Sequence, residues 1–439
     1  MTSQVDDVTV IKSMDYEGRG ISHIDNKIIF IDNAIIGEKV RFKILKKKKE
    51  LLFAKSIDIK NPSSQRVKAE CGVYGVCGGC SMQHIEISSQ LALKQKAYED
   101  TLRHVGKIKP NEILRPIFGP EMHYRHKARL RVKFVKKKNR VLIGFNEKLS
   151  HFLTDMTACP VLPTKISELI LPLQKLIKDV TIKDKIPQIE YASNKKRHIL
   201  VLRILENFTE SDIEKLSKFE GLHGVEFWTQ TKGIDTVKPL LQKSSEEIFY
   251  ENPEFGIKYL FNPTGFIQIN PYVNQVLIRK IYTVTKPNNN DVIFDFFSGV
   301  GNFSLPLATS GAKITAIEGD AALVKTGNIN AKKNKLDKFL TFKNINLFDI
   351  RIEQLKELGK ADKWIIDPPR EGAFNLINMI DSSVRPKLII YISCNAATFA
   401  RDARILVEQK GYRFSTAGVL NMFPHTSHIE SMATFKYGD

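Results

Sequence analysis

The chain has 439 residues, 42% of them apolar, and a net charge of +19 from 67 lysines and arginines against 48 acidic residues. That length exceeds a single compact core and calls for two or three domains. No run of apolar residues reaches the roughly 18 that a membrane span needs, and the opening MTSQVDDVTV has neither the charged nor the apolar region of a secretory leader. The expectation is a cytoplasmic protein with no membrane partner, in which thiols stay reduced and serve metals or catalysis.

Charge is concentrated at the front. Residues 1–150 hold 30 lysines and arginines against 16 acidic residues, which points to a polyanionic partner such as RNA. Within this region, residues 5–59 read as short, partly alternating strands (VTVIKSM, KIIFID, KVRFKIL, LLFAKSIDI) punctuated by Gly18, Gly20, Asp25-Asn26 and Gly37. About five such strands suit a small β-barrel of the OB type, with LKKKKE at 45–50 as a basic tip.

NPSSQ at 61–65 reads as a linker, and a cysteine cluster follows it. Cys71, Cys77 and Cys80 form CGVYGVCGGC, and Cys159 lies in TACPVL. Four thiols close a tetrahedral site, and the interspersed glycines let a short loop wrap around a metal. Three clustered cysteines and a distant Cys-Pro fit iron–sulfur ligation better than the paired C-x2-C knuckles of structural zinc. A helical stretch covers about Ser88 to Arg103. In YRHKARLRVKF at 124–134, Arg125, Lys127, Arg129, Arg131 and Lys133 take every second place. On a strand that puts five cations on one face, an arrangement suited to phosphates.

From about residue 264 the pattern becomes strand–helix alternation. DVIFDFF, AKITAIEG, FLTFKNI, KWIIDPP and KLIIYIS are near-continuous apolar strands, the signature of a parallel, doubly wound α/β sheet. DFFSGVGNFSLPLA at 295–308 ends the first of them. Gly299 and Gly301 permit a tight turn, and Glu318 ends the next strand, where an acid can accept hydrogen bonds from ribose hydroxyls. This combination resembles the S-adenosylmethionine site of class I methyltransferases. IIDPPREG at 365–372 sets Asp367 at the carboxyl end of a further strand, and Cys394 stands at the end of KLIIYIS. A cysteine beside a methyl donor suggests covalent catalysis: addition of a thiolate to carbon 6 of uracil makes carbon 5 nucleophilic, and a base must afterwards remove the carbon 5 proton. FPHTSHIESM near the C-terminus offers Glu430, His425 and His428 as that base, and residue types alone do not choose among them.

Together, FNPTGFIQIN, DFFSGVGNF, DPPREG, ISCNAATFARD and HTSHIESM, behind a front barrel and four cysteines, resemble the RNA (uracil-5-)-methyltransferases, most closely the RlmD type acting on 23S ribosomal RNA. The resemblance covers nearly the whole length. It implies a class I, Rossmann-like α/β catalytic domain at 263–439, an N-terminal OB-like TRAM barrel at 1–61, and a central α+β iron–sulfur domain at 62–262. It further implies Cys394 as nucleophile, Glu430 as proton acceptor, and Gln268, Phe297, Asn302, Glu318, Asn346 and Asp367 as S-adenosylmethionine contacts. Cys71, Cys77, Cys80 and Cys159 would hold a [4Fe–4S] cluster. Ser298 stands where relatives often carry cysteine, and NAATF replaces their NPATL. Ribosomal RNA is the implied partner, because relatives that modify tRNA generally lack the front barrel and cluster; nothing calls for an obligate protein partner. Rival readings are a tRNA enzyme, methylation at an exocyclic amine or at cytosine carbon 5, and a non-catalytic RNA-binding protein.

Overall fold

The computed structural model describes residues 7–241 and 247–438. The first six and the last residue of the expected domains, and residues 242–246 of the central one, lie outside the described residues. Three main sheets follow one another along the chain.

The front sheet has six strands, ordered Asp7–Val10, Lys39–Lys48, Leu51–Lys60, Lys27–Asp32, Gly20–Ile24 and Ser13–Met14. All neighbours are antiparallel except Lys27–Asp32 with Leu51–Lys60. The sixth strand is the two-residue Ser13–Met14, too short to leave a periodic signal. Alternate residues bury a small core of Ile29, Ile31, Val40, Phe42, Leu52 and Ala54, while Lys43 and Lys46–Lys48 stay exposed.

The middle sheet is ordered Lys238–Pro239, Glu226–Gln230, His198–Arg203, Gln188–Ser193, Lys127–Val135 and Arg140–Gly144. In the basic strand, Ala128, Leu130 and Val132 are buried and Arg129, Arg131 and Lys133 exposed, so the alternation sorts apolar groups from cations as period 2 requires. Not every cation is free for a polyanion. Arg129 pairs with Glu190 at 3.0 Å, and Lys127 donates to the Gly265 carbonyl.

The third sheet has eight strands, ordered Leu340–Asn344, Lys313–Glu318, Val292–Phe296, Lys363–Ile366, Leu388–Ser393, Glu430–Lys436, Arg413–Leu420 and Glu112–Ile113. The first five are parallel. Their strands read as unbroken apolar runs because helices cover both faces. Glu430–Lys436 runs antiparallel to both its neighbours. The chain order reverses between Val292–Phe296 and Lys363–Ile366, and in open α/β sheets ligands bind at such a switch point, outside the carboxyl ends of the strands. Residues 87–113, far away in sequence, pack with this sheet. The helix Ile87–Thr101 sends Tyr98 into the same core as Trp364, Tyr391 and Phe399, and Glu112–Ile113 pairs with Arg413–Leu420. No helix among the described residues is long and apolar enough to cross a membrane.

Candidate active site

The carboxyl edge of the third sheet collects the chemically interesting residues in spatial order. Asn346 follows Leu340–Asn344, Glu318 ends Lys313–Glu318, Phe297 follows Val292–Phe296, Asp367 follows Lys363–Ile366, and Cys394 follows Leu388–Ser393. Neighbouring strands are about 4.8 Å apart, so the row is contiguous. Glu430 joins it from the antiparallel strand. Ser393 pairs with Ser431 as the last pair of that ladder, so Cys394 and Glu430 flank it at the same edge, near enough for the Glu430 carboxyl to act on the thiol.

The turn that presents Cys394 is built from its neighbours. Asn395 caps the helix Ala396–Glu408 by accepting from Ala397 N–H at 3.0 Å. Ser393 Oγ accepts from Asn395 N–H at 3.1 Å. Asn395 Nδ2 and Thr398 Oγ1 both donate to the Arg370 carbonyl at 3.0 Å, tying this turn to the Asp-Pro-Pro-Arg turn. Buried Asp402 completes the tie by accepting from Ala373 N–H and Tyr391 OH, each at 2.7 Å. Cys394 is half-buried and opens on a cavity of about 690 Å³ lined also by Tyr16 of the front sheet, Lys96, Arg370 and His428. Burial pushes its thiol up to about 11; the Glu430 and Asp367 carboxyls add to this and Arg370 opposes it.

The acids behave alike. Burial, with Asp367 adding, raises Glu430 to about 8, against the opposing pull of Arg370 and Lys94. Burial raises Asp367 to about 7. It does the same for Asp295, which has no exposure, although Ser304 Oγ donates to its Oδ2 at 2.5 Å. Asp295 Oδ1 has no partner.

The histidines separate cleanly from Glu430. His425 is buried in a left-handed conformation, φ 64°. Its carbonyl accepts from Ser81 and Met82 N–H, and its Nδ1 lies 3.1 Å from Gln90 Nε2. Burial lowers it to about 4, so it is a neutral strut. His428 sits 3.3 Å from Arg370, and burial and that cation hold it below the usual imidazole range. Glu430 is the acid that faces the thiol.

The glycine loop fits a nucleoside-bearing cofactor in backbone and in donors. Phe297 is left-handed at φ 61°, as are Gly299 at 57° and Gly301 at 96°. A bulky residue adopts that conformation only where the surroundings impose it, which is common at ligand sites. Gly299 N–H donates to Glu318 Oε2 at 3.0 Å, and Asn302 and Asn274 exchange amide hydrogen bonds of 3.0 Å. Gln268 lies elsewhere, in a separate cavity of about 160 Å³ with His126, Lys195 and Asn274; Asn274 links the two places.

The early cysteines gather around one end of the middle sheet. Gly78 N–H donates to the Asn146 carbonyl at 2.9 Å, Cys77 bridges Glu147, and Cys159 N–H donates to Ser167 Oγ at 2.9 Å. All four thiols are free. Burial raises Cys71, carries Cys80 to about 11 and Cys159 to about 12, and in each case other thiols of the set push the same way. They are near enough to repel one another as anions, but among the described residues no three His, Cys, Asp or Glu side chains converge as a metal site. The four sulfur donors of the expected cluster share one neighbourhood.

Sequence reasoning missed Asp295 and Lys94. Asp295 stood in view, at the end of a strand and four residues before Gly299. Lys94 left no signal, since its surroundings come from a segment more than 300 residues away.

Comparison with known proteins agrees with this geometry. The family model described as tRNA (Uracil-5-)-methyltransferase matches residues 87–436. The 23S rRNA (uracil(1939)-C(5))-methyltransferase RlmD of Nitrosospira multiformis is 43% identical over 97% of this chain and 98% of its own. That of Cupriavidus necator is 43% identical over 98% of this chain and 100% of its own. The crystal structure of Pyrococcus abyssi tRNA (uracil-54, C5)-methyltransferase with S-adenosyl-L-homocysteine superimposes with a TM-score of 0.74 at 22% identity, over 98% of this chain and 100% of that one. The fold is therefore the α/β methyltransferase fold. A tRNA enzyme shares it from end to end, so the front sheet does not by itself separate rRNA from tRNA enzymes.

Proposed function

The chain belongs to the tRNA (uracil-5-)-methyltransferase family, and on that footing we propose that it methylates carbon 5 of a uridine in 23S ribosomal RNA, in the cytoplasm, using S-adenosylmethionine. What supports the reading is that Cys394 and Glu430 flank the last ladder pair, Ser393 with Ser431, at the edge where the glycine loop ends. The 43% identity to rRNA enzymes along the whole chain favours rRNA as substrate.

In this mechanism Cys394 adds to carbon 6 of the target uracil, and the electron pair passes to carbon 5. Bound S-adenosylmethionine would supply an electrophilic methyl group, held by Phe297, Asn302, Glu318, Asn346 and Asp367, with Gln268 contributing from the separate cavity that Asn274 links to Asn302. Glu430 then takes the carbon 5 proton, and the sulfur–carbon bond breaks to restore the ring. Glu430 suits this role because burial raises its affinity for a proton while Arg370 and Lys94 keep an anion accessible. Cys394 is poorly ionised without RNA. Its position just before a helix N-terminus, with Arg370 opposing the carboxyls, favours the thiolate when substrate binds.

The remaining assignments follow the same reading. Residues 1–61 form a TRAM-type RNA-binding unit, residues 62–262 a central unit whose Cys71, Cys77, Cys80 and Cys159 hold a [4Fe–4S] cluster, and residues 263–439 the catalytic unit. The cluster fits the donor set, two buried and two half-buried thiols that disfavour one another's anions until a cation joins them. It would organise the loop beside the basic strand, with Arg131 and Lys133 exposed toward RNA phosphates.

The test uses RNA with 5-fluorouridine, made both as a 23S rRNA fragment and as a tRNA. Fluorine does not leave as a proton does, so a covalent protein–RNA adduct should accumulate on the rRNA fragment and vanish in Cys394→Ala. An adduct on tRNA alone would transfer the assignment to tRNA, and none on either would defeat the mechanism.

A further inference from the structure

Lys94 is the one fully buried lysine among the described residues. It lies on the helix Ile87–Thr101, 1% exposed. A buried ammonium normally sits against a carboxylate, yet no ion pair within 4.0 Å is found for it among the described residues. Its Nζ donates instead to two neutral oxygens, Asn421 Oδ1 and the Phe423 carbonyl, each at 2.9 Å. Both belong to the segment that leads from Arg413–Leu420 around to Glu430. Leu420, next to Asn421, pairs with Glu430 across the sheet, so the anchored ammonium lies beside the start of that strand, and the carboxylate that senses it is Glu430. Leu93, Lys96 and Ala97 of the same helix line the cavity onto which Cys394 opens, so the helix backs the site as a whole.

We propose that Lys94 is a positioning residue for the proton acceptor: anchored through Asn421 and Phe423, it holds a buried amine behind Glu430 whose cationic form favours the anion of this acid when carbon 5 surrenders its proton. The inference rests on Glu430 being that acceptor. The charges facing Glu430 are Asp367 and Cys394, which disfavour its anion, and Arg370 and Lys94, which favour it. Arg370 is exposed and stands where RNA phosphate would screen it; Lys94 is out of reach of solvent. Glu430 faces Lys94 from one side, and His425 and His428, which both sense it as a cation, face it from others. Burial lowers Lys94 to about 7 and Glu430 opposes that shift, so each member of the pair favours the charged form of the other. Once Glu430 is protonated, it no longer holds that cation, which favours return of the proton to water when product leaves.

The experiment follows Glu430 without relying on turnover. In the full-length protein, the Glu430 carboxyl band is identified in infrared spectra by its loss in Glu430→Gln, then titrated. Lys94→Gln keeps a hydrogen-bond donor for Asn421 but removes the charge; the Glu430 midpoint should rise by about one pH unit, and Lys94→Arg should leave it within a few tenths. In single-turnover reactions, Lys94→Gln should slow decay of the methylated adduct at pH 7, recover near pH 9.5, and leave KM for RNA unchanged. Should Lys94→Gln not fold, the reciprocal arm applies. Glu430→Gln in protein labelled with 13C-lysine should lower the Lys94 midpoint, because coupling between two sites acts equally in both directions. An unmoved Glu430 midpoint, equal shifts in the Gln and Arg variants, or an unmoved Lys94 midpoint in the reciprocal arm would overturn the inference. Shifted midpoints in a wild type that methylates no RNA would uphold it and overturn the function it rests on.

Discussion

The unreactive resting state of Cys394 has a measurable consequence. Its thiol is pushed up to about 11, first by burial and then by Glu430 and Asp367. At pH 8 about one molecule in a thousand would carry the thiolate, against about a quarter for an ordinary cysteine. A more basic thiolate is intrinsically more nucleophilic, by roughly tenfold over this interval. Net alkylation by iodoacetamide should then be about 20-fold slower than for an exposed cysteine peptide. Glu430→Gln removes one of the two carboxylates. Two charges about 6 Å apart at an effective dielectric of 20 interact by roughly 2.8 kcal/mol, and partial exposure of the thiol halves this to about one pH unit. Alkylation of the variant at pH 9 should therefore be about threefold faster than wild type, although the variant cannot release product. Below about pH 6.5 Glu430 and Asp367 are both protonated, so the two proteins should coincide. The assay is mass-spectrometric alkylation of the Cys394 peptide across pH 6–10. A wild-type thiol that titrates near 8.5, or a variant that is slower at pH 9, would refute the electrostatic account.

Two further outcomes are expected. Protein purified anaerobically should contain iron and acid-labile sulfide, both lost in Cys159→Ser; stoichiometric zinc in their place would refute the cluster. Asp295 binds a proton far more tightly folded, at about 7, than unfolded, at about 3.9. The cost of its buried charge is thus absent below pH 4, grows through pH 4–7 and is complete above it, so Asp295→Asn should stabilise the protein by up to about 4 kcal/mol at pH 8 and by nothing near pH 4. Urea denaturation at both pH values decides this, and equal gains at the two would exclude a titrating Asp295.

What could be read from the chain was whatever one stretch of backbone determines. Val292–Phe296, Lys363–Ile366 and Leu388–Ser393 are buried on both faces, so each announces itself as an apolar run. Lys127–Val135 is buried on one face and announces itself by alternation. Motifs at strand ends were legible for the same reason: a parallel sheet with helices on both sides delivers every strand's carboxyl end to one edge, so Phe297, Glu318, Asp367 and Cys394 come together without knowledge of any side chain. Strand order across the antiparallel half was not legible. That Glu430–Lys436 inserts between Leu388–Ser393 and Arg413–Leu420 depends on packing, and that insertion brings Glu430 to the edge that holds the thiol.

The choice of base shows where local reading ends. His425, His428 and Glu430 lie within six residues of one another, and by residue type a histidine is the more convenient base near neutral pH. Tertiary structure reverses this preference. The hydrogen bonds of Gln90, Ser81 and Met82 bind His425 as a neutral bracket between the catalytic loop and residues 81–90, while burial, with Arg370 adding, lowers the proton affinity of His428. The same burial that disables the imidazoles improves the carboxyl, because removing water lowers the proton affinity of a base whose protonated form is charged and raises that of an acid whose protonated form is neutral. A single apolar environment therefore converts the weakest base of the three into the strongest. Lys94, contributed by the helix Ile87–Thr101, opposes that rise together with Arg370.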